Sequence, residues 1–153
     1  MKKYEFTGET KEIKLLFRTA VLHRIRATVS FGFVKIGDLG GWIEKEENLS
    51  HEGKAWVWGN AKVCGDAKVF SASHVLVIGA IGSRNDFTTF YRDKDNEITV
   101  KCGCFLGKID RFLEKVTQTH GDSKYALVYR AAVEVAKLQI DLSGEAPKDA
   151  DEE

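Results

Sequence analysis

The sequence has no surplus of either charge. Lys+Arg and Asp+Glu both total 23, so no global field draws the chain to nucleic acid or to an anionic membrane. No apolar run approaches membrane-spanning length, and the opening, MKKYEFTGETKE, lacks the apolar core of a signal peptide. Cysteine is scarce, with three residues. An odd number without an export signal points to reduced thiols in a cytosol rather than a disulfide framework. The single proline, Pro147, lies in residues 143–153, where one lysine stands among five acids and leaves the body at +4. The expectation is a single domain over 1–142 followed by a disordered acidic tail over 143–153. The body is mildly basic but lacks the dense basic stripe of non-specific DNA binding. No membrane and no direct nucleic-acid partner is expected, and the oligomeric state stays open.

What the chain does have is a period of six. From Gly53 to Gly82 a small residue recurs at Ala55, Ala61, Ala67, Ser73 and Gly79, with an aliphatic residue two places on at Val57, Val63, Val69, Val75 and Ile81. Glycine opens the first three units at Gly53, Gly59 and Gly65. Alternation within each unit is a strand signal with one buried face, and a fixed short period marks a chain that coils on itself. The register extends backwards through Leu49 and Ile43, with Trp42 placed as the cap of a degenerate coil. Cys64 falls on the polar register and reads as a surface or interface thiol.

These repeats resemble the hexapeptide-repeat, left-handed β-helix proteins. With GDLGGWIEKEENLS, GSRNDFTTFYR, CGCF and THGDSKYA, the chain resembles small phage- and prophage-encoded members over roughly residues 25–137. The resemblance implies a short left-handed parallel β-helix over 35–82 and a phage accessory protein acting in the cytoplasm of an infected bacterium. Relatives that transfer acyl groups carry more coils and a catalytic histidine at a subunit boundary.

Around the repeat the chain reads as α+β. Residues 1–34 are expected as N-terminal strands, with a turn near Gly8 and alternation at Val21, His23, Ile25, Ala27 and Val29. Residues 83–142 are expected as a hairpin and a helical hairpin. FTTFYR and ITVKCGCF are joined by the polar DKDNE. Apolar residues at helical spacing follow from Ile109 to Val116 and from Tyr125 to Ile140. Gly121 suits the C-cap of the first helix and Asp122 the N-cap of the second.

Three constellations could carry chemistry. Cys102 and Cys104 share a strand in this reading, with both thiols on one face, and His120 could fold back towards them. Soft sulfur with imidazole is a zinc ligand set, completed by Asp122, Asp86, His74 or water. The spacing is no standard zinc signature, and the competing reading is two core cysteines. Ser83, Arg84, Asn85 and Asp86 leave the last hexad as a ligand-binding loop or as a turn that satisfies its own backbone. Trp56 and Trp58 take outward parity, so either the N-terminal segment covers them or a partner does. His51 and His74 are candidates for an acyl-transferase base, but no nucleotide-binding loop or CoA-binding extension accompanies them.

The functional expectation is a non-enzymatic, phage-encoded protein that binds and inhibits a host protein, such as a CRISPR nuclease or another immune effector. Its partner-binding candidates are Trp56, Trp58, Arg84, Asn85 and Asp86. The alternative is a small hexapeptide acyltransferase-like enzyme. A third is a metal-dependent enzyme at Cys102, Cys104 and His120.

Overall fold

Alternating apolar and polar side chains from Tyr4 onward build a long hairpin in the computed structural model, which describes residues 2–144. Strand β1 (Tyr4–Lys14) pairs antiparallel with β2 (Thr19–Ala27). Gly8 does not end a strand as its turn-forming character suggests. It takes φ +95° inside β1, where the register slips between Phe6 and Thr10. Glycine adopts that angle without steric cost, so the irregularity is absorbed as a bulge. Strand β2 continues antiparallel to β3 (Leu39–Ile43), and β3 pairs parallel with the two-residue β4 (Lys62–Val63).

The second sheet is an antiparallel meander of β5 (Val75–Ile81), β6 (Asp86–Arg92), β7 (Ile98–Cys102) and β8 (Phe105–Lys108). Two helices, α1 (Ile109–His120) and α2 (Lys124–Gln139), close one face of it. Their inward residues, among them Phe112, Val116, Tyr129, Val133 and Ala136, share a core with Phe90 and Val100 of the sheet. Gly121 caps α1 at φ +56°, its N–H donating to the Thr117 carbonyl. The N-cap of α2 is Ser123 rather than Asp122, and its side chain makes no capping bond.

The left-handed parallel β-helix expected for residues 35–82 is not what forms. The molecule is α+β, with two four-stranded sheets built mainly of antiparallel pairs. Among the described residues parallel pairing amounts to the short β3–β4 ladder and one bridge between Leu49 and Val69. The six-residue period instead records which side chains point inward. Ala55, Val57, Ala61, Val63, Ala67 and Val69 are all fully buried, but turns and bends separate them. Beyond Val69 the pattern weakens: Val75 is half-buried against the same core. Gly79 is exposed and Ile81 only half-buried, because β5 takes β6 as its antiparallel partner and a period of two replaces the period of six. Trp42 is a strand residue, not a coil cap. It packs with Ile13, Leu22 and Cys64 and lies under the Lys11 ammonium, 4.4 Å from its ring centroid. Cys64, placed on the surface by its register, is fully buried, and burial raises its thiol pKa.

Buried polar groups fasten the irregular stretch. The Asn48 side chain is fully buried. Its Oδ1 accepts from the N–H groups of Glu44 (3.2 Å) and Lys45 (3.0 Å), and its Nδ2 donates to the carbonyls of Gly65 (3.0 Å) and Ala67 (3.2 Å). All four capacities of the amide are used, as burial demands. The sheets are joined by Tyr91 of β6, whose hydroxyl donates to the Cys64 carbonyl at 2.7 Å, and by the Lys62 N–H, which donates to Thr89 Oγ1 at 3.0 Å. From residue 145 on, the acidic tail expected at 143–153 lies outside the described residues. Among the described residues no helix is long and apolar enough to cross a membrane.

Candidate functional site: a basic cleft at the β7–β8 turn

The turn between β7 and β8 is two residues long. Cys102 pairs with Phe105, and Gly103, at φ +57°, makes the reversal with Cys104. Lys101 holds the turn from beneath, its buried ammonium donating to the Gly103 carbonyl. Burial lowers the pKa of this lysine, and the nearby Lys62 lowers it further. Opposite lies the loop between β5 and β6, where Gly82 at φ +79° lets the chain pass beneath Tyr129. The last two turns of α1 supply Lys115, Val116, Thr119 and His120. Leu16, at the tip of the β1–β2 hairpin, closes the rim and donates its N–H to the Cys104 carbonyl at 3.1 Å. These elements enclose a cavity of about 340 Å³.

Tyr129 is the inner wall. Its ring stacks on His120 (centroids 5.7 Å apart, planes 28° apart) and meets Phe112 edge-on at 5.7 Å. Its hydroxyl lies near Ser83 and Cys102, and burial, then the neighbouring Cys102, raises its pKa. Thr88 Oγ1 donates to Cys102 Sγ at 3.5 Å. The Arg84 side chain lies across Gly103, its Nη1 3.0 Å from where a Cβ would stand. Phe105, Phe112 and Val116 form an apolar floor, with Ser83, Thr119 and Tyr129 offering hydroxyls. Among the described residues no carboxylate lines this cavity.

The structure therefore brings Arg84, Cys102, Cys104 and His120 to one place. Among the described residues no group of three or more His, Cys, Asp or Glu side chains is arranged to hold a metal ion. The spacing argument fails because Gly103 and Cys104 form a turn, so the two cysteines do not share a strand face. Asp122 is exposed beyond the end of α1 and does not line the cavity. Asn85 and Asp86 serve the backbone: Asn85, at φ +50°, donates its N–H to the Gly82 carbonyl at 3.2 Å, and Asp86 Oδ1 accepts from the Phe87 N–H at 2.7 Å. Trp56 is a core residue, 2% exposed, with Tyr4 and Phe31 edge-on to it. Trp58 is half-exposed but does not line the cleft.

Both candidate acyl-transfer histidines are committed to the backbone. His51 stacks on Tyr4 at 4.0 Å and its Nδ1 accepts from the Lys3 N–H at 3.0 Å. His74 Nδ1 accepts from the N–H groups of Phe70 (3.0 Å) and Ser71 (3.1 Å). Burial lowers both pKa values. That of His74 falls to about 4, with the nearby Arg92 charge adding to the effect.

Leu16, Lys115 and Tyr129 belong to the site although sequence reasoning did not place them there. Lys115 and Thr119, four apart on one helix, hint at a shared face, but the approach of the hairpin tip is a tertiary event with no local signal. A second groove of about 420 Å³ shares Leu16, Phe105 and Lys115 with the first and adds Phe17, Leu106, Arg111 and Glu114. Phe17 is 98% exposed on its rim. Behind it, Arg18 holds Glu44 through two bonds of 2.7 and 2.9 Å. No protein-family model and no curated protein matches the chain.

Proposed function

We propose that this chain is a non-enzymatic binding protein that blocks a host protein, acting in the cytoplasm of a phage-infected bacterium. The observation that carries the reading is Phe17, a large aromatic side chain almost wholly in solvent on the rim of the second groove, beside Leu16, which both grooves share. Leu16 beside it is 51% exposed, and the cations Arg84, Arg111 and Lys115 surround the pair. An exposed apolar patch with a polar border is the usual form of a protein-binding surface, and aromatic residues dominate binding hot spots. The Arg18–Glu44 clamp fixes the hairpin tip, so little ordering is needed on binding. The sequence resemblance supplies the setting, and a bacterial immune effector such as a CRISPR nuclease is the concrete target class. The commitment of His51 and His74 to backbone donors counts against the acyltransferase alternative.

The test is a plasmid-interference assay. A host whose CRISPR nuclease destroys a targeted plasmid is transformed with and without the chain. The reading expects transformation to be restored by the parent and lost with Phe17→Asp, whose melting temperature should match the parent. Failure to restore transformation removes the proposed target class. Equal restoration by Phe17→Asp removes the hairpin tip from the binding face.

A further inference from the structure

We propose that the cleft at the β7–β8 turn is a binding site for a small anion carried on a planar apolar body, such as an aromatic carboxylate, sulfonate or phosphate. This goes beyond the partner-binding reading and does not depend on it, because the cleft is formed entirely by the free chain. A volume of about 340 Å³ lies within the range of small-ligand sites, roughly 300–1,000 Å³, which are typically apolar with a few convergent polar groups.

The lining has a definite electrostatic sign. Arg84 enters from the β5–β6 loop and Lys115 from α1, so two cations face the cavity from different elements. Neither has a hydrogen bond or ion pair with any described residue, whereas Lys108 is shared among Asp93, Asp95 and Glu97 and Arg18 is clamped to Glu44. Two cations without a partner among the described residues, and no carboxylate among the described lining residues, favour an anion over a neutral or cationic guest, and low-dielectric walls strengthen that preference.

The rest of the lining sets the shape of the guest. The stacked rings of His120 and Tyr129 form a flat wall, and Phe105, Phe112 and Val116 a continuous apolar floor. A planar ring buries its faces against such surfaces while its anionic group reaches the guanidinium and ammonium at the rim. The Ser83 and Thr119 hydroxyls stand where they can bond to the same anionic group or to a ring substituent. Backbone geometry keeps the space open. Gly82 and Gly103 both have positive φ, and a side chain on either would collide with Tyr129 or Arg84.

The test uses two fluorescent probes of nearly the same size, the anionic anilinonaphthalene sulfonate and the neutral phenylnaphthylamine, titrated into the intact chain. The parent should bind the sulfonate saturably at one site and more tightly than the neutral probe. Arg84→Gln and Lys115→Gln should each weaken sulfonate binding about tenfold, the usual effect of losing one charge-assisted hydrogen bond, and leave the neutral probe unaffected. Lys137→Gln, which removes a cation that does not line the cavity, should change neither. Thr119→Trp, at an exposed position on the cleft wall, should exclude both probes while melting like the parent. Unsaturable binding, equal binding of the two probes, or unchanged sulfonate binding by Thr119→Trp or by both charge variants would overturn the proposal. The host-protection result bears on none of these readings, so the two proposals stand or fall separately.

Discussion

A Cβ placed on Gly82 would stand 1.9 Å from the hydroxyl oxygen of Tyr129. The β5–β6 loop and helix α2 thus approach as closely as backbone and phenol can, and the positive φ of Gly82 adds a second bar to any side chain there. Gly82→Ala should cost at least about 1–3 kcal/mol, the range for overpacking, plus the strain of a positive φ. The expected result is a lower denaturation midpoint with weaker sulfonate-probe binding. A variant that unfolds like the parent would show that the loop and Tyr129 do not touch.

Removing the Asn48 side chain should be among the most damaging polar changes in the chain. Asn48→Ala leaves the Lys45 N–H and the Gly65 and Ala67 carbonyls to find new partners, while the Glu44 N–H keeps the Val63 carbonyl, at about 1–3 kcal/mol for each group left buried and unpaired. A fall in melting temperature of roughly 5 °C or more is expected, given about 2–4 °C per kcal/mol for a chain near this length. A smaller fall would mean that water reaches this point of the fold.

The three tryptophans should separate cleanly. Trp56→Ala should cost about 3–5 kcal/mol, as for a large aromatic lost from a core, while Trp58→Ala should stay within about 0.5 kcal/mol as a surface change. Iodide should quench the Trp58 fluorescence and leave Trp56 and Trp42 largely protected. Quenching of Trp56 in the folded protein would contradict its burial.

Stability should fall on mild acidification, and His74 should be one reason. Its folded pKa, about 4, lies below the ordinary histidine value of 6.5, chiefly through burial. Between those two values the unfolded chain binds the proton and the folded chain does not, so stability drops as pH falls through the window and levels off below it. The pKa of His51 is lowered in the same direction. His74→Asn keeps an acceptor for the Phe70 and Ser71 N–H groups and should flatten the dependence measured by denaturation across pH 4–6.5. A profile as steep as the parent's would remove His74 from the effect.

The legible parts of this fold were those encoded by local period. The spacing from Ile109 to Val116 and from Tyr125 to Ile140 marked both helices, because a helical face recurs within a few residues of itself. The hexads marked Ala55 to Val69 as inward-facing, and they are buried. The hexads did not encode pairing. The same spacing of buried residues is compatible with parallel coils or with bends tied by side chains, and the choice rested on distant partners such as β2, β6 and Asn48. The site was legible in part for the same reason. Arg84, Cys102, Cys104 and His120 announced themselves as chemically rich residues and do converge, but the reversal at Gly103 and the arrival of Leu16 decided that they line a cleft with the two cysteines at a turn. Outward parity failed for Trp56 because irregular backbone does not alternate.

Strand β6 sends neighbouring side chains into different cores: Phe90 joins the one beneath the helices, and Tyr91 the one enclosed by the hexads. This has a consequence for synthesis. A chain emerging from the ribosome has every strand of the first sheet by Val63, but the hollow that Tyr91 fills stays empty, and the Cys64 carbonyl lacks its donor, until a further stretch of chain has been translated. The core of the N-terminal half is therefore complete only once β6 has been made.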